Sequence, residues 1–180
     1  IRRISDGTLI ARAEGFVGVD EPTWYGGEVE KWRDGKKEIK TMPRRPDYAI
    51  RAMAQTIAAT PDDVFVSWLP LYHDMGLIGG LLQPLFLGVE AVFLTPMSFL
   101  QKPARLLAAI SRHGVTTCGM PDFGYLHCLQ RIKASDLEDI DLSTWRVAFN
   151  GAEPVQRSTM DAFAQKFSSV GFRRQAFFPC

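Results

Sequence analysis

From Tyr48 onward, short apolar runs alternate with longer segments of helical periodicity, and this alternation limits the possible folds more than any other feature. Ile50, Met53 and Ile57 recur at spacings of three and four, which predicts a helix over Tyr48–Ala59. The apolar run that follows, Val64–Leu69, predicts a strand. Strands that alternate with helices usually pair in parallel and carry the helices on the faces of the sheet. We therefore predict an α/β fold with a mostly parallel sheet flanked by helices.

The same pattern continues to the end of the chain. Pro103 and Gly114 mark the first turn and the end of one helix, and the β-branched run after Gly114 predicts a strand. The predicted strands are Val64–Leu69, Ala91–Leu94, Val115–Cys118, Arg146–Phe149 and Gln175–Phe178, and the further predicted helices are Gly76–Leu87, Pro103–His113, Pro121–Ile132 and Val155–Phe167.

Residues 1–46 differ in character from the rest. They carry 18 of the 41 charged residues, and their apolar positions keep no helical or strand period for long. Short strands are expected at Thr8–Ala11 and Val17–Val19. We interpret 1–46 as an irregular N-terminal segment of unknown origin and 47–180 as the folded domain.

Composition excludes several classes of function. The 21 basic residues nearly match the 20 acidic ones, so no overall basic field favours nucleic acid as a partner. Met75–Val89 carries no charge but is shorter than the roughly 20 residues that span a bilayer, so no membrane span is predicted. The first residues, Ile1–Asp6, lack the apolar stretch of a secretory signal, and three widely spaced cysteines favour reduced thiols. We expect a cytoplasmic protein.

Four turns follow predicted strands and should share one edge of the sheet, where ligands of open α/β sheets bind. They are residues 71–74, 95–98, 119–122 and 150–154. His73, beside Asp74, is placed to meet a carboxylate or phosphate, or it hydrogen-bonds only within its own turn. The turn at 150–154 is suited to a flat ring, or is a plain turn with Glu153 near a helix N-terminus. Asp122 falls in the first turn of a predicted helix, where it favours the helix dipole.

Several segments resemble the fatty acyl-AMP ligase branch of the adenylate-forming (AMP-binding) enzymes. The resemblance covers about residues 48–180. Its most specific part is Ser-Trp-Leu-Pro-Leu-Tyr-His-Asp-Met-Gly-Leu-Ile-Gly at 67–79, and it continues through 82–85, 98–103, 110–112, 141–155 and 171–173.

The resemblance implies a reaction in which a fatty acid and ATP, with Mg²⁺, give an acyl-adenylate and pyrophosphate. The acyl group then passes to an acyl carrier protein, or to coenzyme A in sister branches. By the same resemblance His73 lies near the carboxylate and the α-phosphate. The nucleotide-binding residues implied for the adenine are Gly151, Ala152 and Glu153, and the residues implied for the acyl pocket are Met75, Gly119, Met120 and Phe123.

The chain also departs from the family pattern. The family's Ser/Thr/Gly-rich phosphate loop has no counterpart in Lys36–Pro43, and the motif with the metal-binding glutamate would follow Cys180. Asp122 stands where fatty acyl-AMP ligases usually carry Asn. We therefore expect an internal fragment of the large N-terminal domain, with no catalytic or metal-ligating residue assigned, that does not catalyse adenylation alone. The alternatives are a fragment of an acyl-CoA ligase and a non-catalytic acyl- or nucleotide-binding module.

Overall fold

The computed structural model describes residues 2–3, 9–11, 27–33, 36–42 and 47–180. Within these ranges the main sheet has seven strands in the order β1-β2-β6-β5-β7-β8-β9. Five of them pair in parallel, which confirms the predicted fold class. The strands of the parallel part are β5 (Val64–Ser67), β6 (Glu90–Phe93), β7 (Thr117–Met120), β8 (Val147–Asn150) and β9 (Phe177–Pro179).

Two short antiparallel strands, β1 (Arg2–Arg3) and β2 (Leu9–Ala11), extend the sheet beyond β6. The second confirms the strand predicted at Thr8–Ala11, whereas Val17–Val19 lies outside the described residues. A separate antiparallel hairpin pairs β3 (Gly27–Arg33) with β4 (Lys36–Met42), where the sequence pattern predicted no strand. Its register sets Lys31 opposite Glu38.

Helices connect the parallel strands. They are α1 (Asp47–Thr56), a π-helix (Met75–Leu82) that continues into α2 (Gln83–Leu87), α3 (Pro96–Gln101), α4 (Ala104–His113), α5 (Asp122–Arg131) and α6 (Arg157–Phe167). Short 3₁₀ turns occupy Ala134–Leu137, Ser168–Val170 and Arg174–Ala176. The short helix α3 was not predicted; it begins where the Thr95 hydroxyl accepts a hydrogen bond from the Ser98 amide.

The prediction for β7 was wrong by two residues. The strand begins at Thr117 and not at Val115, because the Val115 amide donates to Ile110 O at the end of α4. The segment predicted as a continuous helix from Gly76 instead starts with the wider π turns. Its glycines let it pack closely on β5, since a Cβ on Gly80 would stand 2.5 Å from Ser67 Oγ.

The main core lies between the sheet and helices α4 to α6. Phe163 packs edge-on against Tyr125 and Trp145, with ring centroids 5.1 and 6.0 Å away, and all three are fully buried. The Trp145 indole N–H donates to Val147 O at 3.0 Å. This packing holds β7 and β8 in place and so sets the position of the turns that leave them.

The amino ends of the parallel strands carry an ion pair between a buried carboxylate and a partly exposed arginine. Arg146, just before β8, reaches Asp63, just before β5, and the Thr116 hydroxyl donates to the same carboxylate. Arg146 also donates to Ile57 O at 2.7 Å. Charged groups therefore link three neighbouring strands at this edge. None of the described helices is both long and apolar enough to cross a bilayer.

Candidate functional site

The carboxyl ends of the five parallel strands lie along one edge of the sheet, opposite the Asp63–Arg146 pair. The turns at 71–74, 95–98, 119–122 and 150–154 follow or complete β5, β6, β7 and β8, so they lie along this edge as predicted. Turns gathered at this edge are where open α/β sheets bind ligands.

An apolar cavity of about 480 Å³ reaches this edge. Helix α1 and the π-helix form one side of it, and rings from β5, β8 and β9 form the other. Arg51 of α1 lies over the Phe86 ring of α2, 5.1 Å from its centroid, and this contact helps to hold the helical side. The lining residues are Ala52, Met53, Thr56, Ile57, Phe65, Asp74, Met75, Ile78, Gly79, Gln83, Phe149, Ala152, Phe178 and Cys180.

Three of the residues predicted for the site meet at the cavity. Met75 and Ala152 line it, and Gly151 is buried beside them. A Cβ on Gly151 would stand 3.1 Å from Cys180 Cβ and 3.7 Å from Met75 Cε, so the missing side chain lets β9 and the π-helix approach the turn. Residues predicted for the acyl group and for the nucleotide therefore lie next to each other.

The other residues predicted for the acyl pocket lie outside this cavity. Gly119 packs beneath the Phe149 ring, and that ring stands between it and the cavity. Met120 is fully buried in the main core. Phe123 is 45% exposed at the start of α5 and packs edge-on against Trp68, with centroids 6.0 Å apart.

His73 lies half-exposed at the same edge, in the turn after β5. Its Nδ1 is 3.2 Å from the Met75 amide nitrogen and 3.0 Å from Asp74 Oδ1. In the neutral ring Nδ1 accepts from the Met75 amide, and in the protonated ring Nδ1 donates to Asp74. Nε2 carries a proton in both of these states, whereas in the neutral tautomer with the proton on Nδ1 that proton goes to Asp74 and Nε2 is an acceptor. No described residue bonds Nε2, so the histidine hydrogen-bonds within its own turn and keeps Nε2 for a ligand.

The turn between β8 and α6 has a constrained backbone. Ala152 has φ of +66°, in the left-handed region that a residue with a side chain rarely adopts. Glu153 Oε1 accepts a hydrogen bond of 2.7 Å from the Phe123 amide in the first turn of α5. Asn150 donates from Nδ2 to Asp122 at 2.9 Å, and its buried Oδ1 has no partner in the part of the chain that the structure describes.

Asp122 was predicted only to favour the helix dipole, but in the structure it also connects α5 to the β8–α6 turn and to α6. Its carboxylate is buried and accepts hydrogen bonds from Asn150, from the Gln156 amide and from Thr159. These partners follow it by 28 to 37 residues. No local sequence signal identifies contacts at such separations.

Gln83 adds an unusual polar group to an apolar wall. The residue is 1% exposed, and none of the described residues is a hydrogen-bond partner of its amide nitrogen or amide oxygen. A buried unpaired amide costs about 1–3 kcal/mol. We therefore expect this amide to lower the free energy of unfolding of the ligand-free chain.

The described residues include no group of three or more His, Cys, Asp or Glu side chains that could hold a metal ion. We assign no chemical step to Mg²⁺.

Comparison with known proteins agrees with the geometry. Residues 47–173 match the sequence family described as AMP-binding enzyme. The chain is 49% identical over 129 residues to medium-chain-fatty-acid–[acyl-carrier-protein] ligase TtuA of Teredinibacter turnerae, and 44% identical over 120 residues to the corresponding ligase JamA of Moorena producens. These matches cover 72% and 67% of this chain, which spans about a fifth of the length of each relative.

A solved structure gives the same result. The fatty acyl-adenylate ligase of L. pneumophila, in complex with acyl adenylate and pyrophosphate, superposes with a TM-score of 0.74 at 36% identity. The match covers 85% of this chain and 27% of that one.

Proposed function

The chain belongs to the AMP-binding enzyme family, and we propose that it forms part of an enzyme that activates a fatty acid as its acyl-adenylate. A carboxylate oxygen of the acid bonds to the α-phosphorus of ATP while the bond to the bridging oxygen breaks, and pyrophosphate leaves. The thiol of an acyl carrier protein's phosphopantetheine then attacks the acyl carbonyl, and AMP leaves. The two relatives named as ligases of acyl carrier proteins favour that acceptor over coenzyme A.

One observation carries this proposal: the apolar cavity and the β8–α6 turn meet at Met75 and Ala152. A volume of about 480 Å³ lies within the usual range for small-molecule pockets. In the proposal the cavity takes the acyl chain, while Gly151, Ala152 and Glu153 lie along the adenine. The carboxylate and the α-phosphate then meet at the edge of the sheet.

The nucleotide side of the proposal has support in the turn itself. Gly151 has no side chain to hold a flat ring away from the backbone. Asn150 Oδ1 is a buried acceptor that no described residue bonds, next to the place proposed for the adenine. Buried polar groups without partners are rare in native proteins, so a donor from a ligand is a reasonable partner for this oxygen.

His73 has a defined task in this arrangement. Its Nε2–H is free to donate to an anionic oxygen of the carboxylate or the α-phosphate, and the Met75 amide and Asp74 hold the other side of the ring. Such a donor helps to position two groups that repel each other as anions. We propose that Met75, at the mouth of the cavity, borders the acyl chain. We propose that Gly119, Met120 and Phe123 shape the acyl pocket without lining the cavity, through their packing around the Phe149 ring and Trp68.

Calorimetry with a non-hydrolysable acyl-adenylate, decanoyl sulfamoyl adenosine, tests the proposal on the 180-residue chain. We expect saturable binding at one site, weakened by His73→Ala. His113→Ala is the matched control, because His113 ends α4 at the opposite edge of the sheet. Absence of binding, or equal effects of the two substitutions, would contradict the proposal.

We also propose that this chain does not form the adenylate by itself, because the phosphate loop of the family has no counterpart in its sequence. An assay of labelled pyrophosphate exchange into ATP, with decanoate present, should give no signal above background. Exchange that depends on decanoate would overturn this part and leave the binding proposal intact.

A further inference from the structure

A single carboxylate holds both ends of the β8–α6 turn. Asp122 Oδ1 accepts from Asn150 Nδ2 at the start of the turn, at 2.9 Å, and from the Gln156 amide at its end, at 3.0 Å. Its Oδ2 accepts from Thr159 Oγ1 in α6, at 2.9 Å. Asp122 is only 6% exposed, and no described basic side chain forms an ion pair with it. Its charge is thus stabilised by the groups whose positions it fixes.

A second carboxylate links the turn back to helix α5. Glu153, in the middle of the turn, accepts from the Phe123 amide. That amide belongs to the first turn of α5, where backbone N–H groups have no partner within the helix. Helix α5 and the turn are therefore joined by two carboxylates, Asp122 from the helix and Glu153 from the turn. We call these two links the clasp.

The backbone of the turn explains why a clasp is needed. Ala152 holds a left-handed conformation that is unfavourable for a residue with a Cβ, and such conformations persist only where the surroundings impose them. Asp122 fixes residues before and after Ala152, and the hydrogen bond of Glu153 fixes the residue directly after Ala152. Without these bonds the turn has no reason to keep this geometry.

We propose that Asp122 and Glu153 are positioning residues for the adenylate, which they hold through the shape of the turn without touching it. The inference rests on the proposed function, because that function assigns the adenine to the turn of Gly151, Ala152 and Glu153; it narrows the part of Glu153 to holding the backbone of that turn. Asp122 is buried away from the surface, and the Phe123 amide occupies one oxygen of Glu153. Glu153 then acts on the adenine through the backbone, whereas the resemblance implies a direct contact.

Two pairs of variants test the clasp. Asp122→Ala removes all three hydrogen bonds, whereas its control, Thr159→Val, removes only the bond to α6 and leaves both ends of the turn tied. Glu153→Ala removes the second link, whereas Glu153→Gln keeps an oxygen that can accept from the Phe123 amide. Each chain is titrated with decanoyl sulfamoyl adenosine. The alkylation rate of Cys180, which packs on Gly151, is measured without ligand.

We expect the two alanine variants to bind about tenfold more weakly, as for the loss of charge-assisted hydrogen bonds, and both controls to stay within about threefold of wild type. Cys180 should react faster in Asp122→Ala than in Thr159→Val. If Asp122→Ala does not fold, the exposed Glu153 pair decides by itself, with rescue by Gln as the criterion.

The outcomes separate the two proposals. If wild type binds the mimic and each alanine variant binds as tightly as its control, the clasp does not position the adenylate and the proposed function stands. If the loss of affinity in every variant is proportional to the decrease in its melting temperature, the role of the carboxylates is only structural, and the inference is overturned. If wild type does not bind the mimic, the proposed function fails and the inference fails with it, even where Cys180 alkylation shows that the turn has loosened.

Discussion

Arg146 places Nη2 2.9 Å from both carboxylate oxygens of Asp63, and this pair joins the segments that lead into β8 and β5. The pair lies at the amino ends of the parallel strands, and the candidate site lies at their carboxyl ends. Substitutions at one edge should therefore change the free energy of unfolding without reorganising the other edge.

Arg146→Met should destabilise the chain. Asp63 is 2% exposed and would keep a buried charge without its partner, but Arg146 is 38% exposed, so the loss should be smaller than the 3–5 kcal/mol typical of fully buried pairs. We expect a loss of about 2–3 kcal/mol by urea denaturation. Arg157→Met, which removes an arginine that is 85% exposed, is the control and should change little. Equal losses would show that the buried pair does not contribute as described.

The same pair predicts a dependence of stability on pH. Burial alone raises the pKa of Asp63, but hydrogen bonds from Thr116, Arg146 and the Thr60 amide, together with the charge of Arg146, outweigh it and hold the pKa below its ordinary value of 3.8. The stabilisation is complete above the unfolded-state pKa and is lost as pH falls through the folded-state value.

Unfolding free energies measured from pH 6 down to pH 2 should show this loss below about pH 4. In Asp63→Asn the slope should be smaller, by at most the roughly 1.4 kcal/mol per pH unit that one proton contributes. The acid dependence that remains comes from other carboxylates with lowered pKa values, such as Asp161 beside Arg174. An unchanged slope would contradict the assignment to Asp63.

Gln83→Met should stabilise the chain. The substitution replaces an amide without partners by an apolar side chain of similar length in an apolar cavity wall. Removal of the unpaired group should add about 1 kcal/mol, which raises the melting temperature of a chain of this size by about 3 °C. Leu106→Met, a swap between apolar side chains in the main core, is the reference and should be neutral or slightly unfavourable. A lower melting temperature in Gln83→Met would mean that the amide is bonded.

Gly119→Ala should disturb the cavity by displacing the Phe149 ring. A Cβ at this position would overlap the Phe149 ring, which lines the cavity from the other side. We expect a loss of about 1–3 kcal/mol from overpacking, measured by thermal unfolding, and weaker binding of the acyl-adenylate mimic.

Gly79→Ala is the matched control for stability, because its Cβ would meet Met53 and Phe149 at 3.8 Å, an ordinary contact distance; it is not a control for binding, since Gly79 itself lines the cavity. That variant should be at least as stable as wild type, since Ala favours helical backbone over Gly. If Gly119→Ala proved as stable as Gly79→Ala, the close packing of Gly119 on Phe149 would be wrong.

Much of the fold could be predicted because the signals are local. Apolar periodicity located α4, α5 and α6 to within a few residues, and the alternation of elements indicated parallel pairing. The start of β7 could not be read from Val115, because the Val115 amide is taken by the end of α4. The π-helix was also beyond reach, since apolar spacing does not distinguish wide helical turns from ordinary ones.

Less of the candidate site could be predicted. The turns at the carboxyl edge follow from parallel pairing, so His73, Met75, Gly151 and Ala152 could be expected near each other. The position of Gly119 behind the Phe149 ring depends on the register of β7 against β8, and Asp122 finds its partners across two helices and a strand. Contacts of this kind leave no trace in local spacing.

The amino-acid sequence by itself determined the alternation of strands and helices after Tyr48, the edge to which the turns belong and the family resemblance, because each depends on residue types at short separations. Only the tertiary structure decided which turn residues share a cavity, that Asp63 is paired with Arg146 and that Asp122 and Glu153 hold the turn around Ala152. The physical reason is that hydrogen bonds and close packing between distant segments depend on the positions of atoms in space, and those positions are set when the whole sheet assembles.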